Sequence, residues 1–187
     1  MTTTTDTDTL LERIALLERR VAELENHPAQ GIEDRVALVV FSGDLDKAIA
    51  AFIIATGAAS MGLEVSMFFT FWGLSAVKKQ KIFNGKDLLE QGFTAMLPGK
   101  LGDTGLSQMN FFGAGAQIIR SLMKKHDVSS PEELFALAQE LGVRMVVCDM
   151  SRELLGVKDA ELVDGLELGG VATFLGDAAR AKVTLFI

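Results

Sequence analysis

Hydrophobic and polar positions change their spacing several times along the 187-residue chain. Residues 1–9 are rich in Thr and Asp and show no apolar period, which predicts a disordered tail. From Leu10 the pattern becomes regular. Leu10, Leu17 and Leu24 recur seven apart, with Ile14 and Val21 four residues after the first two, the seam of a short coiled coil over 10–27. In that register Arg13 and Arg20 face Glu18 and Glu25 of a parallel neighbour, an arrangement that favours self-association. An amphipathic helix packed on its own domain would show the same seam, because two heptads alone are marginal in water. His27, Pro28 and Gly31 end the helix, and 28–34 reads as a linker.

The period then shortens. Arg35 to Phe41 is a nearly continuous apolar run rich in β-branched residues, leading into Ser42-Gly43-Asp44, as expected of a buried parallel strand followed by a turn. A helix from about Leu45 to Ser60 carries apolar residues on almost all sides. Glu64 to Phe71 is a second strand, ending at Trp72-Gly73. The segment 78–105 is Gly- and Lys-rich with weak periodicity and predicts an exposed excursion or short helix. Leu106 to Lys125 reads as one helix. Ser130-Pro131-Glu132-Glu133 opens the next helix with an N-cap, a proline and an acidic first turn. Val143 to Cys148 is a third strand, and a helical run at about 170–181 leads to a last strand, Lys182 to Ile187.

Strands and helices alternating at this spacing require right-handed crossovers. The fold class is therefore α/β: an open, doubly wound, mostly parallel sheet of about four to five strands over 35–187, preceded by the coiled-coil helix. The stretch 48–77 is apolar apart from Glu64, but Gly62-Leu63-Glu64 divides it into a helix-length and a strand-length half, so a membrane span is not expected.

In such sheets ligands meet the carboxyl ends of the strands. Ser42, Gly43, Asp44, Thr70, Trp72, Cys148 and Ser151 fall on that edge. Cys148 stands out because it ends a buried strand before a polar turn, with Ser151 placed to cap a short helical run over 152–155. Arg152 would favour the thiolate and Asp149 would oppose it, and an inert buried cysteine remains an equal reading of these residues. Ser42-Gly43-Asp44 could cradle an anion at a helix N-terminus or be a plain turn. Asn110, with Gln108, enters the helix read over 106–125 and could orient a small anion at the same edge. Gly113-Ala114-Gly115 reads as close packing, not phosphate binding.

Composition narrows the rest. Eighteen basic against 25 acidic residues give a net charge of −7, which excludes a protein held to nucleic acid by phosphate neutralisation. Eight Met and twelve Phe with no Tyr leave more apolar surface than a lone small domain covers, which points to subunit contacts. One cysteine forms no disulfide framework and fits a reducing cytoplasm. With only His27 and His126, no histidine-based metal site is expected, and no cofactor motif is present.

The segments Phe41-Ser42-Gly43-Asp44, Phe69-Thr70-Phe71-Trp72-Gly73, Met109-Asn110, Cys148-Asp149-Met150-Ser151, Asp164-Gly165 and Thr184-Leu185-Phe186-Ile187 occur in an order that resembles the DsrE/DsrF-like proteins. The resemblance spans about Arg35 to Ile187. It implies a flavodoxin-like sheet, homo-oligomers, and a sulfur relay in which a cysteine, here Cys148, carries sulfane sulfur as a persulfide between donor and acceptor proteins. The sequence departs from the family's pattern at Asp149 and Arg152-Glu153, charges that bear on the thiol and on partner choice. The competing expectation is a non-catalytic oligomeric scaffold that offers an apolar surface to a partner.

Overall fold

The structure, a computed structural model, describes residues 12–22 and 33–187. The expected tail, Leu10, Leu24, Glu25 and the segment 23–32 lie outside the described residues. Residues 12–22 form a helix, α1, that belongs to a first unit of the chain, and residues 33–187 form the second.

The second unit is a five-stranded sheet in the order β4-β3-β2-β1-β5, with every pairing parallel. Its strands are β1 (Glu33–Val40), β2 (Glu64–Phe69), β3 (Arg144–Cys148), β4 (Glu167–Gly169) and β5 (Ala181–Phe186). β1 begins two residues inside the expected linker, and β4 is a strand that the hydrophobic pattern did not show. Its three residues, partly exposed at the sheet edge, carry too little periodicity to be read.

The helices are α2 (Leu45–Ser60), α3 (Leu88–Met96), α4 (Ala114–Lys125), α5 (Pro131–Glu140), α6 (Asp149–Leu154) and α7 (Val171–Ala178). The chain steps from β1 through β4 in one direction, so right-handed crossovers place α2 and α5 on one face. The return from β4 to β5 places α7 on the other. The main core lies under α2 and α5, where Leu38, Val40, Met67, Phe69, Met145 and Val147 project from the strands. Small residues on α2 (Ala48, Ala51, Ala55) let it lie close to the sheet, and Phe52 stands between Phe69 and an edge-on Phe135 at 5.6 Å. No helix among the described residues is long and apolar enough to cross a membrane.

The segment 78–105 takes one of its two expected forms, a short helix, while the helix expected over 106–125 starts late. The excursion 78–105 contains α3, opened by a reciprocal capping box between Asp87 and Glu90. The helix expected from Leu106 begins only at Ala114, because Met109, Phe111 and Phe112 all adopt positive φ. Such backbone is costly for non-glycine residues, and it breaks the helical path that the side-chain spacing suggests.

Candidate functional site

Cys148 is the last residue of β3, and strand alternation decides which way it points. Met145 and Val147 enter the main core, so Val146 and Cys148 project to the opposite face, where they join Phe68 in a small cluster with Phe174 of α7 packed against it. In the single chain Cys148 is 4% exposed.

Its neighbours are set by register. Cys148 pairs with Gly169 of β4, and Phe69 pairs with Val147, which brings Thr70 alongside Cys148. Thr70 and Ser151 are both buried and share a hydrogen bond at 2.8 Å. Ser151 therefore does not cap α6 as its spacing suggested. The N-cap is Cys148, whose side chain makes no capping bond, and the Ser151 hydroxyl is drawn to Thr70 across 81 positions of sequence.

The charged residues beside the cysteine are satisfied by one another. Arg152 donates to Asp149 Oδ1 at 2.8 and 3.1 Å and to Asp159 Oδ1 at 3.0 Å. The Asp149 hydrogen bond, with the Asp159 charge behind it, holds the guanidinium proton above its ordinary affinity despite partial burial. The opposed influences expected of Arg152 and Asp149 on the thiol are thus joined in one ion pair.

The other two loops meet Cys148's edge from β1 and β2. Ser42 Oγ donates to Asp44 Oδ2 at 2.7 Å and accepts from the Asp44 N–H at 3.2 Å. Backbone contact locks the loops together: a Cβ on Gly43 would stand 2.5 Å from the Trp72 carbonyl oxygen, and one on Gly73 would stand 2.0 Å from that of Val40. Trp72 itself is largely exposed. Phe41, Phe71 and Phe186 form an aromatic row along this edge, with neighbouring rings 5.5 and 5.6 Å apart.

The N-terminus of α2 is occupied by the chain itself. Leu45 N–H donates to the Gly105 carbonyl, and Asp46 accepts from the Ser107 N–H and hydroxyl. Asn110 supports this segment by accepting from the Leu106 N–H at 3.1 Å. Asn110 and Gln108 thus lie in the strained turn before α4, not in a helix. Gly115 is a point of close packing as expected, since a Cβ there would stand 2.1 Å from the Met109 carbonyl oxygen, but Gly113 is not: it caps α4 in a left-handed conformation with open space around it.

Two buried ionic centres went unrecognised in the sequence. Glu161 is fully buried with Lys86 and Lys78, and Asp177 of α7 is buried between Arg35 and Arg144. A lysine following the apolar run Phe71–Val77 and an aspartate inside the apolar run of α7 are the local signals, but neither names its partner. Among the described residues no group of three or more potential ligands could hold a metal ion.

A flavodoxin-like parallel sheet with one cysteine at the carboxyl end of an inner strand defines the class of protein. The chain belongs to the DsrE/DsrF/DrsH-like family, whose profile matches residues 32–186. It is 46% identical over 154 residues to the uncharacterized protein YrkE of Bacillus subtilis (strain 168), covering 82% of this chain and 96% of that one. It is 34% identical over 161 residues to the sulfur carrier protein DsrE2 of Allochromatium vinosum, covering 83% of this chain and 99% of that one.

Proposed function

We propose that this protein is a sulfur carrier, acting as a sulfurtransferase through a persulfide on Cys148. The observation that carries the reading is the position of the chain's only cysteine: the carboxyl end of β3, on the same edge of a parallel sheet as the loops that follow β1 and β2, in a family that includes a named sulfur carrier. The Cys148 thiolate attacks the outer sulfur of a donor persulfide. The donor's S–S bond breaks, the donor thiolate leaves with the bonding pair, and Cys148 holds the sulfur as a persulfide. An acceptor thiolate then attacks that terminal sulfur and releases the Cys148 thiolate. The cycle has no net redox change and needs no cofactor. The exposed Trp72 and the Ser42-Gly43-Asp44 loop form the wall that a partner meets, with the buried Thr70–Ser151 pair behind it, and the reducing cytoplasm is the compartment that suits it.

Incubation with polysulfide followed by intact-mass measurement should add about 32 Da per sulfur to the wild type and nothing to Cys148→Ser. An unmodified wild type under every donor would sink the proposal.

A second reading is favoured by the outer surface of α1, where Ile14, Leu17 and Val21 are 50%, 59% and 51% exposed. Seams of this kind are covered by another helix. If the protein is a scaffold assembled through a parallel coiled coil, Ile14→Asp with Val21→Asp reduces its sedimentation mass to the monomer, and Cys148→Ser leaves partner capture intact. In the carrier reading the coiled coil serves assembly only, and the double variant keeps its sulfur adduct.

A further inference from the structure

Among the described residues of the second unit, α7 lies over the face that Cys148 occupies, and it is held unequally at its two ends. Near the carboxyl end of α7, the buried Asp177 carboxylate accepts from Ser66 Oγ at 2.8 Å, from Arg35 Nη1 at 2.6 Å and from Arg144 Nη1 at 2.6 Å. One side chain is thereby tied to β2, β1 and β3. The Arg180 carbonyl, just past the helix, also accepts from the Glu33 N–H at 2.8 Å.

The amino end has no such anchor. Its N-cap is Gly170, which has no side chain to satisfy the first N–H groups, and a Cβ there would meet nothing within 4 Å. The preceding strand, β4, contributes three residues at the sheet edge. Apolar contact holds this end: Phe174 packs against the Phe68, Val146 and Cys148 cluster, its ring 5.6 Å from that of Phe68. Gly176, next to the anchor, lies within the helix with open space where a Cβ would stand.

We infer that α7 is a hinged cover over Cys148, with Asp177 as its fixed end, Gly170 as its joint and Phe174 as the seal that lifts to admit a partner's sulfur. The inference rests on the reading of Cys148 as the sulfur acceptor. A persulfide is readily oxidised, so a carrier gains from burying it between transfers and exposing it only in a minor open state. The thiol's observed reactivity is then its intrinsic reactivity multiplied by the open fraction.

Iodoacetamide alkylation of the full chain, followed by mass spectrometry, tests the cover without any sulfur donor. Phe174→Ala should raise the rate at Cys148 by roughly tenfold or more, since the seal's apolar burial is what favours the closed state. Gly170→Ala should slow it by about two- to fivefold by withdrawing backbone freedom from the open state. In the wild type the rate should stay flat at low urea, because local opening exposes little surface. A Phe174→Ala rate equal to the wild type's, or a wild-type urea slope equal to that of global unfolding, overturns the inference. Should Phe174→Ala fail to fold, Gly170→Ala decides, and an unchanged rate overturns it. A gated thiol that never takes up sulfur would refute the carrier reading and leave the cover standing; sulfur uptake by an ungated thiol would do the reverse.

Discussion

Replacing Glu161 with Ala is expected to lower the stability of the α/β unit by about 3–5 kcal/mol, because it strands two buried ammonium groups. The side chains of Glu161, Lys78 and Lys86 are at most 1% exposed. Glu161 Oε2 accepts from Lys86 Nζ at 2.5 Å and from the Lys158 N–H at 2.9 Å, and Oε1 accepts from the Ile82 N–H at 3.1 Å. Lys86 also donates to the buried Thr94 hydroxyl of α3. This one carboxylate therefore fastens the excursion to the loop that follows α6. Lys78 is less well served: its Nζ lies 3.5 Å from Glu161 and makes no hydrogen bond. Burial accordingly pushes the Lys78 ammonium down, against the opposing charge of Glu161.

The pH dependence follows with a definite sign. Burial by itself would push the Glu161 carboxyl up, but the hydrogen bonds from Lys158, Lys86 and Ile82 outweigh it and hold the group below its ordinary value of 4.5. A folded value below the unfolded one means that the stabilisation is complete above the ordinary carboxylate range and is lost as pH falls through the folded value. Urea unfolding followed from neutral to acid pH should show this loss in the wild type and a flatter acid limb in Glu161→Gln. Equal stabilities for wild type and Glu161→Ala at neutral pH would mean that the centre contributes nothing.

The inner strands β1, β2 and β3 were legible in the sequence because most of their residues are buried, whereas β4 and β5 are largely exposed. Buried strands appear as nearly continuous apolar runs rich in valine, as in Val36–Val40 and, interrupted by Arg144, Val143–Cys148. Cys148 could be placed at the carboxyl edge on the same grounds, since a strand's end and its crossover order follow from the chain. What stayed illegible depends on partners distant in sequence. Ser151 has the spacing of a cap, but Thr70, 81 positions away, takes its hydroxyl. Asp177 looks misplaced in an apolar helix until Arg35, 142 positions away, and Arg144 reach it from the sheet. The capping box Asp87-x-x-Glu90 was present in the sequence. It was masked by Leu88, Leu89 and Met96, which α3 leaves exposed and which blur its period. At Met109, Phe111 and Phe112 apolar spacing alone gave no sign of positive φ, so the start of α4 was read too early.

Gly73→Ala is the substitution expected to disturb the candidate site most directly. A Cβ at this position would stand 2.0 Å from the Val40 carbonyl oxygen and 2.7 Å from its carbon, both backbone atoms. No flexible side chain can yield there, so the β1 and β2 loops must separate. That separation breaks the 2.8 Å hydrogen bond from the Gly73 N–H to the Phe41 carbonyl and shifts Thr70, which touches Ser151 beside Cys148. The expected cost is about 3 kcal/mol or more, the upper range for overpacking a rigid site. Gly57→Ala in α2 is the matched control, because a Cβ there meets nothing within 4 Å and the residue is helical. It should stabilise by about 0.5–1 kcal/mol, since alanine restricts the unfolded chain and favours the helix. Denaturation midpoints of the two variants should therefore move in opposite directions, and iodoacetamide should label Cys148 faster in Gly73→Ala than in Gly57→Ala. Midpoints that coincide would show that the loops can part without cost, and Gly73 would then have no special role in closing the edge around Cys148.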